Sequence, residues 1–112
     1  MSHRVTSPLK LPYQTSSAAE TVLTEFDGIL NMTGTGGRVV TLPDATKCAG
    51  LLLLIKDGAN NALTNNITVE ALPAQTPAQL IDGAATQVLA INGDSIALFS
   101  DGAGWKIWSA LA

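Results

Sequence analysis

The chain has 112 residues, 46% of them hydrophobic, and a formal net charge of −3. This length predicts one domain, because single domains typically run to about 100–150 residues. The six basic residues are scattered, which disfavours nucleic acid and anionic membranes, and the longest aliphatic run, residues 51 to 55, is far below the roughly 20 residues that span a bilayer.

The first 19 residues predict an extended arm ahead of a β domain at residues 20 to 112. They contain Pro8 and Pro12 and show neither strand nor helix periodicity. They also lack the apolar segment that directs secretion, so we expect synthesis in the cytoplasm. A flexible terminus is the alternative, but apolar side chains at odd positions would line one side of a peptide laid on a partner. The arm residues expected to contact that partner are Arg4, Val5, Leu9, Lys10, Leu11 and Tyr13.

From Glu20 onward, Asp-Gly and Asn-Gly dipeptides separate short aliphatic segments. Both dipeptides tolerate positive φ and close tight turns, so the segments between them are expected to be strands. The predicted strands lie near residues 21–26, 29–32, 38–42, 50–56, 66–71, 78–81, 86–91, 95–100 and 104–110. Their spacing of about ten residues in the second half favours an all-β fold, a small antiparallel sandwich or barrel.

Two of these strands carry apolar side chains on both faces. The LLLLI run at 51–55 does so by composition, and Trp105 and Trp108 point in opposite directions because successive side chains of a strand alternate. One small chain has difficulty covering two such strands, so we expect burial to be shared within a homo-oligomer. An ordinary core within one chain is the alternative for the tryptophans. The candidate interface residues are Leu51, Leu52, Leu53, Leu54, Trp105 and Trp108.

The side chains that catalysis needs are sparse. The one histidine, His3, lies in the predicted arm, and the one cysteine, Cys48, has neither a disulfide partner nor companion metal ligands. The TGTGG segment at 33–37 lacks the Lys-Ser/Thr pair of a phosphate-binding loop, and most aspartates precede glycine in turns. We therefore predict that the protein is not an enzyme and that it uses no cofactor or metal ion.

Several segments follow one another in a characteristic order. They are TLPDAT (41–46), Gly50 with an apolar strand ending in IKD (55–57), ITVEA (67–71), IDGAAT (81–86) and SIALFSDGAGWKI (95–107). In this order they resemble the β-structured modules of tailed-phage virions, which occur in tail fibres and in capsid-attached head fibres or decoration proteins. The resemblance covers residues 38 to 110, and it implies a trimer packed around a threefold axis without enzymatic activity.

The sequence lacks the long repetitive shaft of a tail fibre. The resemblance therefore favours a capsid decoration (cement) protein on the outside of a phage head, a homotrimer whose N-terminal arms contact neighbouring shell subunits. It implies the major capsid protein as partner and the virion as location. The alternatives are a tail-fibre or receptor-binding module, which would bind cells or glycans, and a small non-viral β binding domain, which would be a monomer.

Overall fold

The structure is a computed structural model that describes residues 10 to 111. Within that range the strands are β1 (Tyr13–Ser16), β2 (Glu20–Val22), β3 (Ile29–Met32), β4 (Arg38–Thr41), β5 (Leu52–Asp57), β6 (Ile67–Glu70), β7 (Thr86–Leu89), β8 (Ser95–Ser100) and β9 (Trp105–Leu111). A short 3-10 turn, Ala45–Lys47, lies between β4 and β5. The prediction of an all-β fold is confirmed.

The strands form a five-stranded sheet in the order β1-β3-β5-β8-β9 and a four-stranded sheet in the order β2-β4-β6-β7. From β1 to β6 the chain alternates between the two sheets, and the pairings among these strands are parallel. This part of the chain is therefore a stack of coils, each of which contributes one strand to each sheet. The last three strands are added by antiparallel pairing: β7 pairs with β6, β8 pairs with β5, and β9 pairs with β8.

The expectation of an antiparallel sandwich is corrected by this topology, because both sheets are mixed. The Asp-Gly pair at 27–28 does not close a hairpin; it lies between β2 of one sheet and β3 of the other. A chain that visits the opposite sheet before it returns enters each sheet in the same direction every time, which produces parallel pairing. Turn residues mark where the chain bends, but they do not determine which sheet it enters next.

Residues 13–16, which the sequence pattern assigned to the arm, form β1 at the edge of the five-stranded sheet. Two glycines that flank β3 allow this close approach. A Cβ at Gly28 would lie 2.8 Å from the carbonyl oxygen of Pro12, and one at Gly34 would lie 2.6 Å from that of Ser17. The first coil therefore packs on the second only because these positions lack side chains. Residues 1 to 9 of the predicted arm lie outside the described residues.

Two other predicted strands are also corrected. The segment predicted at 21–26 ends as a strand at Val22, because the Asp27 carboxylate accepts a backbone N–H at 2.7 Å and closes a turn. The segment at 78–81 is not a strand, and only Ile81 makes isolated bridges. An Asp-Gly turn with positive φ at both residues follows it directly, which bends the chain before a ladder can extend.

The core lies between the two sheets. Inward-facing aliphatic side chains of both sheets are buried there: Leu30, Met32, Val40, Leu53, Ile55, Ile67, Val69, Leu89, Ile96 and Leu98. Trp105, only 1% exposed, joins the same core. Because side chains alternate along a strand, the residues between these positions point outward, and they form the surfaces available to a partner.

Candidate interaction surface

The outer side of the five-stranded sheet carries several large apolar side chains among polar ones. We call it the five-stranded face, defined by the outward side chains Tyr13, Ile29, Leu52, Leu54, Phe99 and Trp108. The register joins three of them in one row, because Tyr13 pairs with Ile29, and Ile29 pairs with Leu54. Tyr13 is 61% and Trp108 66% exposed. Two large aromatic side chains therefore remain in contact with solvent after the chain has closed its own core.

Trp108 lies on this face at a β-bulge. Ile107 pairs with Leu98, and Ser109 pairs with the preceding residue of β8, so Trp108 is the extra residue in β9. Its ring meets Phe99 edge to face, with 6.4 Å between the ring centroids and 89° between the planes. A shallow depression of about 340 Å³ lies beside the pair and is lined by Gly50, Leu52, Phe99 and Trp108.

The outer side of the four-stranded sheet is more polar. We call it the four-stranded face, and its outward residues are Glu20, Val22, Val39, Thr41, Thr68, Glu70, Thr86 and Val88. Valines and threonines alternate across it, and Val22 and Val88 are exposed. β-branched side chains of this kind make a flat surface with narrow apolar ridges, against which a second sheet can pack.

The two faces carry opposite charges. Lys56 and Lys106 project from the five-stranded face, whereas Glu20 and Glu70 project from the four-stranded face. The ammonium group of Lys56 donates to the carbonyl oxygen of Gly93. That of Lys106 lies 4.0 Å from the carboxylate of Asp101 at the rim, and both side chains of this pair are partly exposed. The opposite charges therefore lie at outward positions of the two sheets, and the acidic Asp101 lies at the rim beside Lys106.

The start of the coil stack leaves two strand edges open within residues 10 to 111. The carbonyl oxygens of Pro12 and Ser16 accept hydrogen bonds from the β3 side, at 2.7 and 2.9 Å. Because successive peptide groups of a strand point to opposite sides, the backbone groups of Tyr13 and Thr15 point away from the sheet. β2 is the edge of the other sheet in the same coil. An added strand of another segment would find donors and acceptors on both sheets here.

A buried ion pair joins the sheets at one end. The Nη2 atom of Arg38 on β4 lies 3.8 Å from Oδ1 of Asp57 on β5, and both side chains are fully buried. The other carboxylate oxygen accepts backbone N–H bonds from Asn61, Ala62 and Gly93, at 2.8 to 3.0 Å. The same Nη2 also donates to the side chain of Asn61 at 2.8 Å. The pair holds the loop after β5 against the core.

The surroundings of Asp57 act on its pKa in opposite directions. Burial raises the pKa. Its lowering by other groups is larger and leaves the pKa below the usual value; these groups are the backbone N–H donors of Gly93, Ala62 and Asn61 and the Arg38 guanidinium. The carboxylate therefore stays ionised at neutral pH inside the protein. This is the behaviour of a structural ion pair, not of a proton-transfer group.

The described residues offer little reactive chemistry. Residues 10 to 111 contain no group of three or more His, Cys, Asp or Glu side chains that could hold a metal ion. Burial raises the pKa of the Cys48 thiol, and its Sγ lies 3.3 Å from the carbonyl oxygen of Asp44. A thiol in this state is protonated at neutral pH and is a poor nucleophile. His3 lies outside the described residues.

The residues that the sequence singled out for contact occupy different places. Arg4, Val5 and Leu9 lie outside the described residues; Lys10 and Tyr13 are exposed, and Leu11 is half-buried just before β1. In the second set, Leu53 and Trp105 are buried in the core of one chain, Leu51, Leu52 and Leu54 are half-buried, and Trp108 is exposed. The outward area that a second copy can cover thus belongs mainly to Leu52, Leu54 and Trp108.

Three residues of the five-stranded face were missed as interface candidates. Phe99 was expected only to be part of a strand, and Ile29 lies in a strand that the sequence did predict, whereas Tyr13 was assigned to the arm. The alternation within β8 already separated Phe99 from the buried Leu98. It did not indicate that the outward positions of β1, β3, β5 and β9 adjoin it, because that depends on strand order.

No family model matches the chain, and no curated protein sequence matches it. Among the described residues, none of the helical segments has the length and hydropathy needed to cross a membrane.

Proposed function

We propose that this protein is a capsid decoration protein, which binds the outside of a tailed-phage head as a homotrimer and stabilises it. The observation that carries the proposal is the apolar five-stranded face, on which Trp108 and Tyr13 stay exposed in the single chain. Soluble monomers seldom leave such patches open, and shared burial between copies removes them. The resemblance of the sequence to virion modules supplies the biological setting.

Decoration requires binding alone and no covalent chemistry. A protein that binds the assembled shell, but not the separated shell subunits, shifts the equilibrium toward the shell by mass action. Three copies in one rigid body raise the effective concentration of each shell contact, so contacts that are weak singly become tight together.

In this proposed role, residues 1 to 9 contact neighbouring shell subunits. Lys10 and Leu11 connect those residues directly to β1, the outermost strand of the coil stack. The open edges of β1 and β2 are the adjacent part of the folded domain, so extended backbone of a shell subunit can add to them. Arg4, Val5 and Leu9 are the side chains that we expect to contact the shell.

The direct test is binding to purified, expanded, undecorated heads of the phage that encodes this protein. Full-length protein should co-sediment with the heads, and electron microscopy should show three-fold density on their outer surface. A deletion of residues 2 to 9 should abolish attachment and leave the fold intact. Deleting residues 1 to 19 is a poorer test, since it removes β1 as well.

Different outcomes separate the alternatives. Failure of the full-length protein to bind heads, combined with binding to host cells or to glycans, would indicate a receptor-binding module. Monomeric behaviour with neither kind of binding would indicate a small β binding domain. Full attachment of the protein lacking residues 2 to 9 would leave decoration intact and remove the arm from the proposal.

A further inference from the structure

We propose that the trimer closes around an axis parallel to the strands, with the β1 edge of each five-stranded face packed against the β9 edge of the same face in the next copy. Each copy then turns its five-stranded face toward the axis and its four-stranded face toward solvent. The inference rests on the homotrimer of the proposed function, but it does not depend on the capsid. It assigns a partner, a second copy of this chain, to both edges of one face.

Only one of the two outer faces can point toward the axis. The core lies between the sheets, so their outer sides point in opposite directions. The five-stranded face carries the large exposed side chains of Tyr13 and Trp108, whereas the exposed apolar residues of the four-stranded face are the smaller Val22 and Val88. Burial of a larger apolar surface contributes more to association, which selects the five-stranded face for the interior of the trimer.

The two exposed aromatic residues lie on opposite edge strands of this face. Tyr13 is on β1 and Trp108 is on β9, the two outermost strands of the sheet, and these side chains are 61% and 66% exposed. Leu52 and Leu54, on the central strand between them, are half-buried. A ring of copies repeats one contact between two different surfaces of the molecule. The two edges supply such surfaces, so the aromatic residue of one edge can meet that of the other in the next copy.

The register puts the two aromatic residues at the same level along the strands. Tyr13 is in one row with Leu54 of the central strand, and that row continues through Ala97 to Ser109. Trp108 directly precedes Ser109, so it lies within about 3.3 Å, the rise of one residue, of the level of Tyr13. Rotation about an axis parallel to the strands leaves this level unchanged. Tyr13 of one copy therefore meets Trp108 of the next without a shift along the strands.

The width of the sheet suits a closed arrangement of three copies. Neighbouring strands lie about 4.8 Å apart, so a five-stranded sheet with one further spacing at the corner makes a side of about 24 Å. Three such sides enclose an axis that lies roughly 7 Å from each sheet. Two packed sheets lie about 10 Å apart, so each contributes a side-chain layer about 5 Å thick, and aromatic side chains reach further. The interior therefore has room for one layer of side chains from each copy.

The charged residues of the face lie at its two ends. Lys56 is the last but one residue of β5, and it shares a row with the polar Asn31 and Ser95. Lys106 is the second residue of β9 and lies 4.0 Å from Asp101 at the opposite rim. A lysine at the end of a strand can extend its ammonium group into water while its stem stays on the apolar surface. Neither charge therefore has to be buried when the faces close around the axis.

In this trimer the three copies of β1 begin at the same end, because rotation about the axis preserves strand direction. Lys10, Leu11 and Pro12 precede β1 at that end. Residues 1 to 9 of the three copies are therefore joined to the assembly at one end only. This agrees with the proposed contact of three arms with a single surface.

Chemical cross-linking of the full chain tests the contact, in a Cys48→Ala background that removes the native thiol. The added cysteines are Thr15→Cys on the β1 edge and Ser109→Cys on the β9 edge, and both positions are exposed. A short bismaleimide should link neither single variant, because identical edges are about 24 Å apart in the ring. The double variant should give covalent dimers and trimers but no larger species, because the contact joins two different edges and the ring closes at three copies.

Tryptophan emission provides a second readout without added cysteines. Trp108 is the exposed tryptophan and Trp105 the buried one, so burial of Trp108 on assembly should shift the emission to the blue. Tyr13→Ser should weaken trimer formation about tenfold or more in sedimentation equilibrium and reduce this shift. Val88→Thr is the matched control and should change neither, since the four-stranded face stays outside the ring. Circular dichroism of each variant checks that it is folded.

The outcomes separate this inference from the proposed function. A chain that remains a monomer at every concentration measured would overturn both the homotrimer and the contact. The edge-to-edge contact alone would be overturned by a trimer in which a single-cysteine variant cross-links, or in which the double variant either fails to cross-link or gives species beyond the trimer. A trimer that Val88→Thr weakens as much as Tyr13→Ser would overturn it as well. A trimer that behaves as expected but does not bind heads would leave the contact standing and reject decoration.

Discussion

Phe99 and Trp108 meet edge to face on the outside of the five-stranded sheet, with their ring centroids 6.4 Å apart. Phe99 pairs with Lys106, so Trp108, two residues further along β9 and also the extra residue of a bulge, is its diagonal neighbour. An aromatic pair of this geometry contributes about 0.5–1.5 kcal/mol beyond its buried area. The pair thus forms an aromatic patch at the surface, where a partner rather than the core gains from it.

We expect Trp108→Ala to separate assembly from folding. The side chain is 66% exposed, so its loss should lower the free energy of unfolding by only about 1 kcal/mol. Loss of an exposed aromatic anchor should weaken self-association by about 2 kcal/mol or more. Thermal denaturation and sedimentation equilibrium measure the two effects.

The matched control is Trp105→Ala, in the same strand. Trp105 is 1% exposed, and removing a buried tryptophan costs about 3–5 kcal/mol, enough to threaten folding of the single chain. If both substitutions destabilised the fold equally, the assignment of Trp108 to the surface would be wrong.

We expect Arg38→Met to be among the most destabilising polar substitutions, at about 3–5 kcal/mol. It leaves the Asp57 carboxylate buried without its cation. The combined variant Arg38→Met, Asp57→Asn should lose less than the sum of the single changes, because neither charge remains unpaired. Urea unfolding of the four proteins measures the coupling, and strict additivity would mean that the two groups act independently.

The lowered pKa of Asp57 predicts that the protein loses stability in acid. Since the pKa of Asp57 is lower in the folded protein than in the unfolded chain, its contribution is complete above the unfolded value of about 4. It is lost as the pH falls through the folded pKa, because the unfolded chain then binds more protons. The free energy of unfolding should therefore drop more steeply between pH 5 and 3 in the unchanged protein than in Asp57→Asn.

The glycines beside β3 should tolerate substitution very differently from a neighbour in the same loop region. Gly34→Ala places a methyl group 2.6 Å from the Ser17 carbonyl oxygen, so we expect a loss of about 1–3 kcal/mol. Gly37→Ala is the control, since a Cβ there meets no atom within 4 Å. Hydrogen exchange of β1 amides should accelerate in the first variant only. Equal exchange in both would mean that β1 is not held by this approach.

Cys48 should resist alkylation in the folded protein. Burial raises the pKa of its thiol, so little thiolate is present at pH 7.5. Iodoacetamide should therefore modify the native chain much more slowly than the chain unfolded in urea at the same pH. Comparable rates in the two states would show that the thiol is open and ionised.

The sequence indicated a good part of the fold correctly. Turn dipeptides and aliphatic segments located seven of the nine described strands close to their true positions, and β3 and β8 have the predicted bounds. β1 was missed because its residues, YQTS, lack the apolar alternation of a half-buried strand. Backbone hydrogen bonds hold it to β3, and it can approach β3 closely because Gly28 and Gly34 have no side chain. The interface residues were partly indicated, since Trp108 and Leu52 lie on the surface while Trp105 and Leu53 fill the core.

The sequence by itself determined the all-β character, the places where the chain turns and the opposite directions of Trp105 and Trp108. Those properties depend on tolerance of positive φ and on side-chain alternation, which are local. Only the tertiary structure decided that the coils stack in parallel, that Arg38 meets Asp57, and that Tyr13 lies in one row with Ile29 and Leu54. Each of these depends on which distant strands become neighbours, as when Val39 pairs with Thr68. That choice is made by burial summed over the whole chain, and no short segment carries enough of that energy to specify it.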